Sequence, residues 1–279
     1  MPELPEVETI KNQLLEKIVG KKIKDVDVRL PKMVRDASLV DFKKKITEAK
    51  IKNIGRRAKF LIIELNNGYS LVIHLKLTGQ IIFIENCKLK IENFEKYTHI
   101  IYYFDDGSAL LHNDLRQFGY VKLFKTAELD KFFAEEELGP EPLDKDFTLE
   151  KFKKLLVPKS RLKIKPLLLD QTFLAGIGNV YAQESCFCAK ILPTRLVKNL
   201  KEKEISDLYN CLIKILKEAI KHKGSSVDTY VDATGQAGDY AKKLKVYGRE
   251  DEKCLRCGAK IKKMTLAGRG TCYCPNCQK

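Results

Sequence analysis

The first residues of the chain combine a secondary amine with two carboxyl groups. Met1 precedes Pro2, and Glu3 and Glu6 follow directly. Methionine is usually removed before a small second residue, which would expose the proline amine, and an α-amino group with a pKa of about 8 is partly unprotonated at neutral pH. Such an amine can attack a sugar or carbonyl carbon to form an iminium. A purely structural alternative is that Pro2 and Pro5 open a helix whose first turn favours glutamate.

A helix is predicted to hold that amine in place. Apolar residues recur at helical spacing over residues 5–19 and stop before Gly20. This spacing is typical of an amphipathic helix docked on a core. Its apolar face comprises Val7, Ile10, Leu14, Leu15 and Ile18.

Charge is distributed unevenly along the 279 residues. Lysine and arginine number 52 against 37 aspartate and glutamate residues, a net charge of +15. Residues 1–150 carry 25 of each sign, whereas residues 151–279 carry 27 basic and 12 acidic residues. A basic second half indicates a polyanion-binding surface, most simply for a nucleic-acid backbone, with solvated lysine-rich faces as the alternative. The length of 279 residues favours two domains over one. Because the sequence has no apolar run of about 20 residues and no basic leader before an apolar segment, we expect a cytoplasmic protein with no membrane partner.

Four of the nine cysteines form two closely spaced pairs. Two residues separate Cys254 from Cys257 and Cys274 from Cys277, and sixteen residues separate the pairs. Two such pairs can supply the thiolates of a closed tetrahedral zinc site, so we expect one structural Zn²⁺. Cys272 is an extra thiol beside these ligands. We expect no disulfide scaffold, and the cysteines in apolar contexts are predicted core residues: Cys87, Cys186, Cys188 and Cys211.

The predicted elements change from strands to helices along the chain. Short apolar runs predict antiparallel strands over 60–65, 69–75, 81–84, 97–104, 109–112 and 120–124, with turns at Asn67-Gly68 and Asp106-Gly107. These strands indicate a sandwich or flattened barrel. Residues 139–142 are interpreted as an interdomain link. Helices are predicted beyond it over 149–156, 165–171, 179–186 and 203–221, which makes the fold class α+β.

A glycine-containing turn lies between two of the predicted helices. Gly176 and Gly178 allow close backbone approach, and Asn179 is predicted to cap the next helix so that its free N–H groups face an anion. Cations precede the turn, among them Arg161. A plain helix–turn–helix corner is the alternative interpretation.

Taken together, these motifs resemble the formamidopyrimidine-DNA glycosylase family. The resemblance rests on residues 1–9, 55–60, 74–79, 116–119, 176–182 and the four-cysteine hairpin, which occur in the family's order. It implies an N-terminal β-sandwich with flanking helices, a helix-two-turn-helix module and a zinc-finger β-hairpin. It divides the chain into a catalytic domain (1–138), a helical domain (139–224), a lesion-recognition loop region (225–247) and the zinc finger (248–279).

The resemblance also implies catalytic roles. Pro2 is the expected nucleophile at C1′ of the damaged nucleotide, which it would hold as a Schiff base. Glu3 is the expected general acid and proton shuttle, and Glu6 a supporting carboxylate that orients the amine. Lys59 is expected to help expel the 5′ side, and His74 to contact phosphate.

Extrusion of the damaged base leaves a hole in the duplex, which the family fills with three side chains. They correspond to Leu77, Arg116 and Phe118, and Leu77 stands where the family has methionine. Lys76, Leu115 and Gln117 also depart from the family's glycine, proline and second arginine. Leucine keeps an apolar wedge of similar volume, so unstacking should survive.

The zinc finger and a long loop complete the implied site. Arg269, between the cysteine pairs, is expected to contact phosphate and assist strand cleavage. Arg161 and Asn179 are expected to bind DNA. The segment from Ser225 to Tyr240 resembles the loop that closes over an extruded 8-oxoguanine.

The implied function is that of a monomeric, nucleoid-associated enzyme of base excision repair. It would remove oxidised purines from double-stranded DNA and cleave the abasic site by β,δ-elimination. Two alternatives remain open. An endonuclease VIII-type enzyme would prefer oxidised pyrimidines, and a non-catalytic zinc-ribbon DNA-binding protein would explain the charge and the cysteines but not Pro2 and Glu3.

Overall fold

The computed structural model describes residues 1–86 and 96–279, which form two compact units. The first unit comprises Met1–Glu136 and His222–Ala241, and the second comprises Glu137–Lys221 and Lys242–Lys279. No helix within these described ranges is long and apolar enough to cross a membrane. The fold is α+β. Because the first unit includes residues up to Ala241, it contains most of the loop region predicted over 225–247. The four-part division of the chain stays a prediction.

The first unit is a β-sandwich with flanking helices. Its elements are α1 (Leu4–Ile18), β1 (Ile23–Val28), β2 (Val34–Arg35), α2 (Leu39–Ile46), β3 (Ile51–Arg57), β4 (Phe60–Leu65), β5 (Tyr69–His74), β6 (Gly79–Ile84), β7 (Thr98–Phe104), β8 (Ala109–Asp114), β9 (Tyr120–Lys125) and α3 (Leu129–Glu135). One sheet has the order β1-β7-β8-β6 and the other β2-β9-β5-β4-β3. All pairings are antiparallel except β2 with β9.

One apolar core joins α1 to both sheets. Ile10 on α1, Ile73 on β5 and Leu110 on β8 belong to the same buried cluster, as do Tyr230 and Ala233 from the segment 222–241. The predicted amphipathic helix is confirmed, because Val7, Ile10, Leu14 and Ile18 are fully buried. The amino terminus is thus fixed against the core.

The hairpin predictions are confirmed at both turns. Gly68 and Gly107 adopt φ of 82° and 84°, a left-handed conformation that glycine takes without steric cost. The structure adds elements that no prediction covered, namely β1, β2, β3, α2 and α3.

The second unit contains the helical module and the finger. Its elements are α4 (Leu149–Leu156), α5 (Ile164–Leu169), α6 (Asn179–Cys188), α7 (Glu202–Lys221), β10 (Lys262–Leu266) and β11 (Arg269–Tyr273). All four predicted helices are confirmed, with ends that differ by at most two residues. The last two strands pair as the antiparallel hairpin of the finger.

Two of the predicted core cysteines were assigned wrongly. Cys188, the last residue of α6, and Cys211 on α7 form a disulfide with a Cα–Cα distance of 5.9 Å, and both are half-buried. They are twenty-three positions apart in sequence, so only the packing of the two helices brings them together. Cys186 is fully buried as predicted, and Cys87 lies outside the described residues.

Candidate active site

The amino-terminal carboxylates are buried in a hydrogen-bonded cluster. Glu3 and Glu6 are 2% and 1% exposed, and Pro2 is buried beside them. The Glu3 backbone N–H donates to Glu6 Oε2 at 2.8 Å, while the Ser225 N–H donates to Glu6 Oε1 at 2.8 Å. Both oxygens of Glu6 are therefore engaged, and Glu6 ties the start of α1 to the segment 222–241.

A glycine leaves room for this cluster. Gly224 has φ of +81°, and a Cβ there would lie 2.9 Å from both Glu6 Oε1 and the Tyr230 ring. Any other residue would therefore displace Glu6 as well as strain the backbone.

The turn that carries Lys59 is tied to the same helix. Lys59 is 8% exposed and lies in the tight turn between β3 and β4. Arg56 donates from Nε to Glu8 Oε2 at 2.7 Å and from Nη1 to Ala58 O at 2.9 Å. Burial raises the pKa of Glu8, but hydrogen bonds from Arg56 and Lys11 outweigh burial and lower that pKa overall. The ionised Glu8 thus anchors the turn to α1.

His74 ends β5 beside this turn. Its partners across the sheet are Phe60 on β4 and Tyr120 on β9. Burial, followed by the charges of Lys76, Lys59 and Arg35, lowers its pKa to about 3. The ring is therefore neutral at pH 7. Its Nδ1 accepts from the Lys76 N–H at 3.0 Å, which leaves Nε2 as the protonated donor.

Two loops present the predicted wedge side chains. Leu77 is half-buried between β5 and β6, whereas Arg116 and Phe118 are exposed after β8. The Arg116 guanidinium lies 4.9 Å from the centroid of the Phe118 ring. Phe118 is therefore a surface residue that lies against an arginine, and not the core residue that its type alone would suggest.

Asp114, which sequence reasoning missed, organises both loops. It is fully buried at the end of β8. Its Oδ1 accepts from the Thr78 hydroxyl and from the Arg116 N–H at 3.1 Å, and its Oδ2 accepts from the Gly119 N–H at 2.6 Å. Thr78 Oγ1 also accepts from the Arg116 N–H at 3.0 Å. One carboxylate thus fixes the loop of Leu77 relative to the loop of Arg116 and Phe118.

The segment 222–241 is held on α1 and β6. Asp232 is fully buried, and its carboxylate accepts from Gln13 Nε2 at 2.7 Å and from the backbone of Thr234 and Gln236. Phe83 N–H donates to Ala233 O at 2.8 Å. The segment predicted to act as a recognition loop therefore has its own internal scaffold, and its predicted role is untested.

The second unit brings Asn179 to the strand that begins with Arg269. Asn179 Nδ2 donates to Gly270 O at 3.2 Å, and Asn179 Oδ1 accepts from Lys165 Nζ at 2.6 Å. Lys165, fully buried, also donates to Thr271 Oγ1 at 3.0 Å. The prediction that Asn179 caps α6 is wrong, because Gly178 occupies the cap position and Asn179 is the first helical residue.

Two exposed arginines flank this network. Arg269 is exposed at the tip of the hairpin, where Ala267 and Gly268 turn with φ of 49° and 71°. Arg161 is exposed before α5. Within the described part of the chain, Arg161 forms no hydrogen bond or ion pair with the other predicted site residues.

The four predicted ligands converge on one point. The sulfur atoms of Cys254, Cys257, Cys274 and Cys277 all lie within 4.8 Å of one another. The Cys257–Cys274 and Cys254–Cys277 Sγ–Sγ distances are 3.5 and 3.9 Å. A tetrahedral ZnS₄ centre with Zn–S bonds of about 2.3 Å has edges of about 3.8 Å. The donor set therefore fits zinc. Cys272 packs with Phe187 and Ile261 in the neighbouring apolar cluster.

Comparison with known proteins agrees with both units. Models for the N-terminal and H2TH domains of formamidopyrimidine-DNA glycosylase match residues 1–121 and 138–231, and one for a zinc finger found in FPG and IleRS matches residues 251–279. The formamidopyrimidine-DNA glycosylase of Pelotomaculum thermopropionicum is 44% identical, over 100% of this chain and 99% of the relative. The chain belongs to the formamidopyrimidine-DNA glycosylase family.

Two solved structures of the Lactococcus lactis enzyme extend the comparison. A variant in complex with a Fapy-dG-containing DNA has a TM-score of 0.91 at 40% identity, and covers 100% of both chains. The wild-type enzyme in complex with a DNA containing an oxidised pyrimidine has a TM-score of 0.90 at 40% identity, again over 100% of both chains.

This formamidopyrimidine-DNA glycosylase family member departs from the expected pattern where its backbone is unusual. Lys76 and Gln117 have φ of 52° and 58°, in the region that glycine favours. Lys76 stands where the resemblance expects glycine. Its ammonium lies 5.5 Å from the centroid of the Tyr120 ring, a contact that can offset part of the backbone strain.

Proposed function

We propose that this protein is a bifunctional DNA glycosylase and abasic-site lyase of base excision repair. It removes oxidised purines, such as 8-oxoguanine and formamidopyrimidines, from double-stranded DNA. The observation that carries the proposal is the buried cluster at the start of α1, where Pro2, Glu3 and Glu6 are all buried and Glu6 accepts from the Glu3 N–H. Glu3 and Glu6 also form a capping box at the start of α1. A capping box explains their positions in the helix but does not require either carboxylate to be buried.

Pro2 acts as the nucleophile once Met1 has been removed. In the full chain its nitrogen is a tertiary amide, whereas the processed terminus is a secondary amine. That amine attacks C1′, and the bond from C1′ to the base breaks with its electron pair on the base. Glu3 donates a proton at the sugar as the ring opens, and loss of the amine proton leaves an iminium. Glu6 orients the amine because its position is fixed by the Glu3 and Ser225 N–H groups.

Strand cleavage follows from the iminium. Removal of a C2′ proton expels the 3′ phosphate, and a second elimination expels the 5′ phosphate. Lys59 assists the second step from the turn beside α1, and Arg269 stabilises the departing phosphate. His74, neutral with Nε2–H as donor, binds a backbone phosphate without adding charge.

The exposed loops and the basic second unit bind the duplex. Leu77, Arg116 and Phe118 enter the stack that the extruded nucleotide leaves. Asn179 and Arg161 contact phosphates. When bound, zinc acts as architecture, because four thiolates on one dication hold a hairpin that is too small to fold alone. All of these residues belong to one chain, so we propose a monomer that acts at the nucleoid in the cytoplasm.

A second candidate substrate class has one observation in its favour. The Lactococcus lactis relative was crystallised with a DNA containing an oxidised pyrimidine. Duplexes that carry 8-oxoguanine, formamidopyrimidine or thymine glycol should therefore be nicked in parallel. Faster nicking of thymine glycol than of either purine lesion would contradict the purine assignment. No nicking of any lesion would leave only a DNA-binding protein.

Covalent trapping tests the nucleophile. Borohydride should link the protein to an 8-oxoguanine duplex, with the adduct on residue 2. Pro2→Gly keeps an amine but loses the ring geometry, and protein that retains Met1 has no reactive amine. Gly224→Ala is a matched positioning variant, because it displaces Glu6 without changing charge. Full trapping by protein that mass spectrometry shows to retain Met1 would overturn the mechanism.

A further inference from the structure

The disulfide Cys188–Cys211 has no part in the chemistry proposed above. It joins the end of α6 to the middle of α7, with a Cα–Cα distance of 5.9 Å that lies within the usual range for disulfides. Both residues are half-buried. They line an open groove of about 880 Å³ in the second unit, together with the zinc-ligand positions Cys257 and Cys277. Both cysteines therefore border a space that a small molecule can enter.

Basic side chains dominate the groove. Its lining contains two acidic side chains, Glu204 and Asp207, against five basic ones. The basic residues are Lys190, Lys201, Lys203, Arg256 and Lys279. Asp207 pairs with Lys203 at 3.1 Å, and Glu204 pairs at 3.1 Å with Arg195. Four cationic side chains of the lining remain outside these pairs, against the net charge of −2 that four thiolates and one Zn²⁺ would carry. The potential in the groove therefore stays positive and raises the local concentration of anions.

The zinc-binding turns rest on the end of α6 that the disulfide holds. Arg256, between the first two ligands, donates to Phe187 O at 3.2 Å and lies 4.3 Å from the centroid of the Phe187 ring. After the last ligand, Gln278 donates to Ile191 O at 2.8 Å. The Lys279 N–H donates to Lys190 O at 3.0 Å. Movement of residues 187–191 would therefore displace the chain next to both pairs of ligands.

We propose that Cys188 and Cys211 form a reversible thiol-exchange site for small anionic thiols and their disulfides, and that its oxidised form slows zinc loss from the adjacent finger. The cross-link keeps α6 against α7 and so keeps residues 187–191, which contact the finger, in place. After reduction, only non-covalent packing holds these residues.

The exchange balances without any further reactant. A thiolate attacks one sulfur, forms a mixed disulfide and releases the other sulfur as a thiolate, which takes up a proton from water. A second thiolate attacks the mixed disulfide, releases the second cysteine and forms the small-molecule disulfide. Two thiols are oxidised and one protein disulfide is reduced. The reverse sequence closes the cross-link.

Cys186 provides an internal contrast. It lies on the same helix but is fully buried, and burial raises the pKa of its thiol to about 12. Cys186 should neither react with small-molecule disulfides nor compete with Cys188 and Cys211 for them. Cys186→Ala is therefore a control that removes a cysteine from α6 without touching the exchange site.

Exchange kinetics test access and charge. Zinc-loaded full-length protein in a Cys87→Ser background is reduced with mercaptoacetate, 2-mercaptoethanol or cysteamine, and rates are compared per thiolate by intact mass. We expect anionic mercaptoacetate to react about tenfold faster than cationic cysteamine at low salt, with the neutral thiol between them. The advantage should shrink in 1 M salt and in Lys190→Gln/Lys201→Gln, but not in the control Lys43→Gln/Lys44→Gln on α2 of the first unit. Equal rates for the three thiols, or no disulfide after air oxidation, would overturn the site.

Zinc release tests the consequence. A chromogenic chelator should remove zinc about threefold more slowly from oxidised protein than from reduced protein. Cys188→Ser/Cys211→Ser should release zinc at the reduced rate in both buffers, while Cys186→Ala keeps the difference. Identical release from oxidised and reduced protein would overturn the coupling to the finger.

Discussion

Replacement of Asp114 by asparagine should separate the placement of the wedge loops from the chemistry at Pro2. The carboxylate of Asp114 accepts hydrogen bonds from Thr78, Arg116 and Gly119. It is not among the groups that we propose to break bonds. Asparagine has nearly the same shape, so the packing around the buried side chain should survive. What changes is the number of acceptors, because an amide offers one oxygen and one NH₂ group.

The magnitude follows from the contacts. If the amide oxygen takes the position of Oδ1, the NH₂ group faces the Gly119 N–H, which now lies 2.6 Å from Oδ2. The loop cannot shift towards residue 114, since even a Cβ on Gly119 would come within 2.9 Å of Oδ2. Loss of one charge-assisted bond and opposition of two donors cost about 2–3 kcal/mol. If the free loop relaxes and must reform on DNA, affinity falls roughly 30- to 150-fold.

The assay is the dissociation constant for a duplex with an abasic-site analogue, measured beside a lesion-free duplex. Thr78→Val provides a graded control, because it deletes the hydroxyl but leaves Arg116 N–H its bond to Asp114 at 3.1 Å. Its loss should be about fivefold, for roughly 1 kcal/mol. Borohydride trapping on a preformed abasic site at saturating protein should be unchanged in both variants. An Asp114→Asn protein of normal stability that binds the lesion duplex within twofold of wild type would refute the assignment.

Four further predictions follow from charge and burial. Chelation of zinc should abolish DNA binding while the β-sheet signal of the first unit persists, since the ligands are confined to residues 254–277; unchanged affinity for an abasic analogue after chelation would contradict this. Excision of 8-oxoguanine should be faster opposite cytosine than adenine, because Arg116 can donate to cytosine O2 and N3 for roughly 1–3 kcal/mol, and Arg116→Ala should lose the preference. Binding should weaken with a log–log salt slope of about −4 to −5 for roughly five phosphate contacts, whereas a slope near zero would show that the excess charge faces away from DNA. His112 is fully buried without a hydrogen-bond partner among the described residues, and burial lowers its pKa to about 4. Because the unfolded ring binds its proton near pH 6.5, the free energy of unfolding should fall by about 2.5 kcal/mol between pH 7.5 and 4.5. His112→Leu should lose that part of the decline.

Apolar periodicity correctly predicted the elements in which no charged residue interrupts the apolar spacing. The helix α1 and the hairpin β4–β5 have uninterrupted apolar spacing or a glycine turn, and both were found as predicted. Strands β1 and β3 were missed because lysine, aspartate and arginine interrupt their apolar residues, which leaves only two buried positions in each. In these strands the partners across the sheet decide the conformation, and a single sequence does not contain that information.

The site was predictable only where a motif places reactive residues close together in the chain. The cysteine pairs converge because short turns bring each pair together, and the finger hairpin brings the pairs together. Asp114 gave no comparable signal, since an aspartate at a strand end is common and its three donors come from two loops separated by more than thirty residues. The disulfide partners Cys188 and Cys211 likewise meet through the packing of α6 on α7.

Lys76 shows how local strain and site electrostatics act on one residue. A lysine at φ of 52° violates the backbone preference, at a cost on the order of 1 kcal/mol. Its N–H nevertheless fixes the tautomer of His74, and its charge is the first one, after burial, that keeps the pKa of His74 near 3. With glycine at this position the N–H would remain and the charge would not. His74 would then be protonated at a higher pH than in this chain, while still presenting the same Nε2–H. The lysine therefore lowers the pH at which His74 gains a charge, and it leaves unchanged the geometry of the Nε2–H that we propose to contact a phosphate.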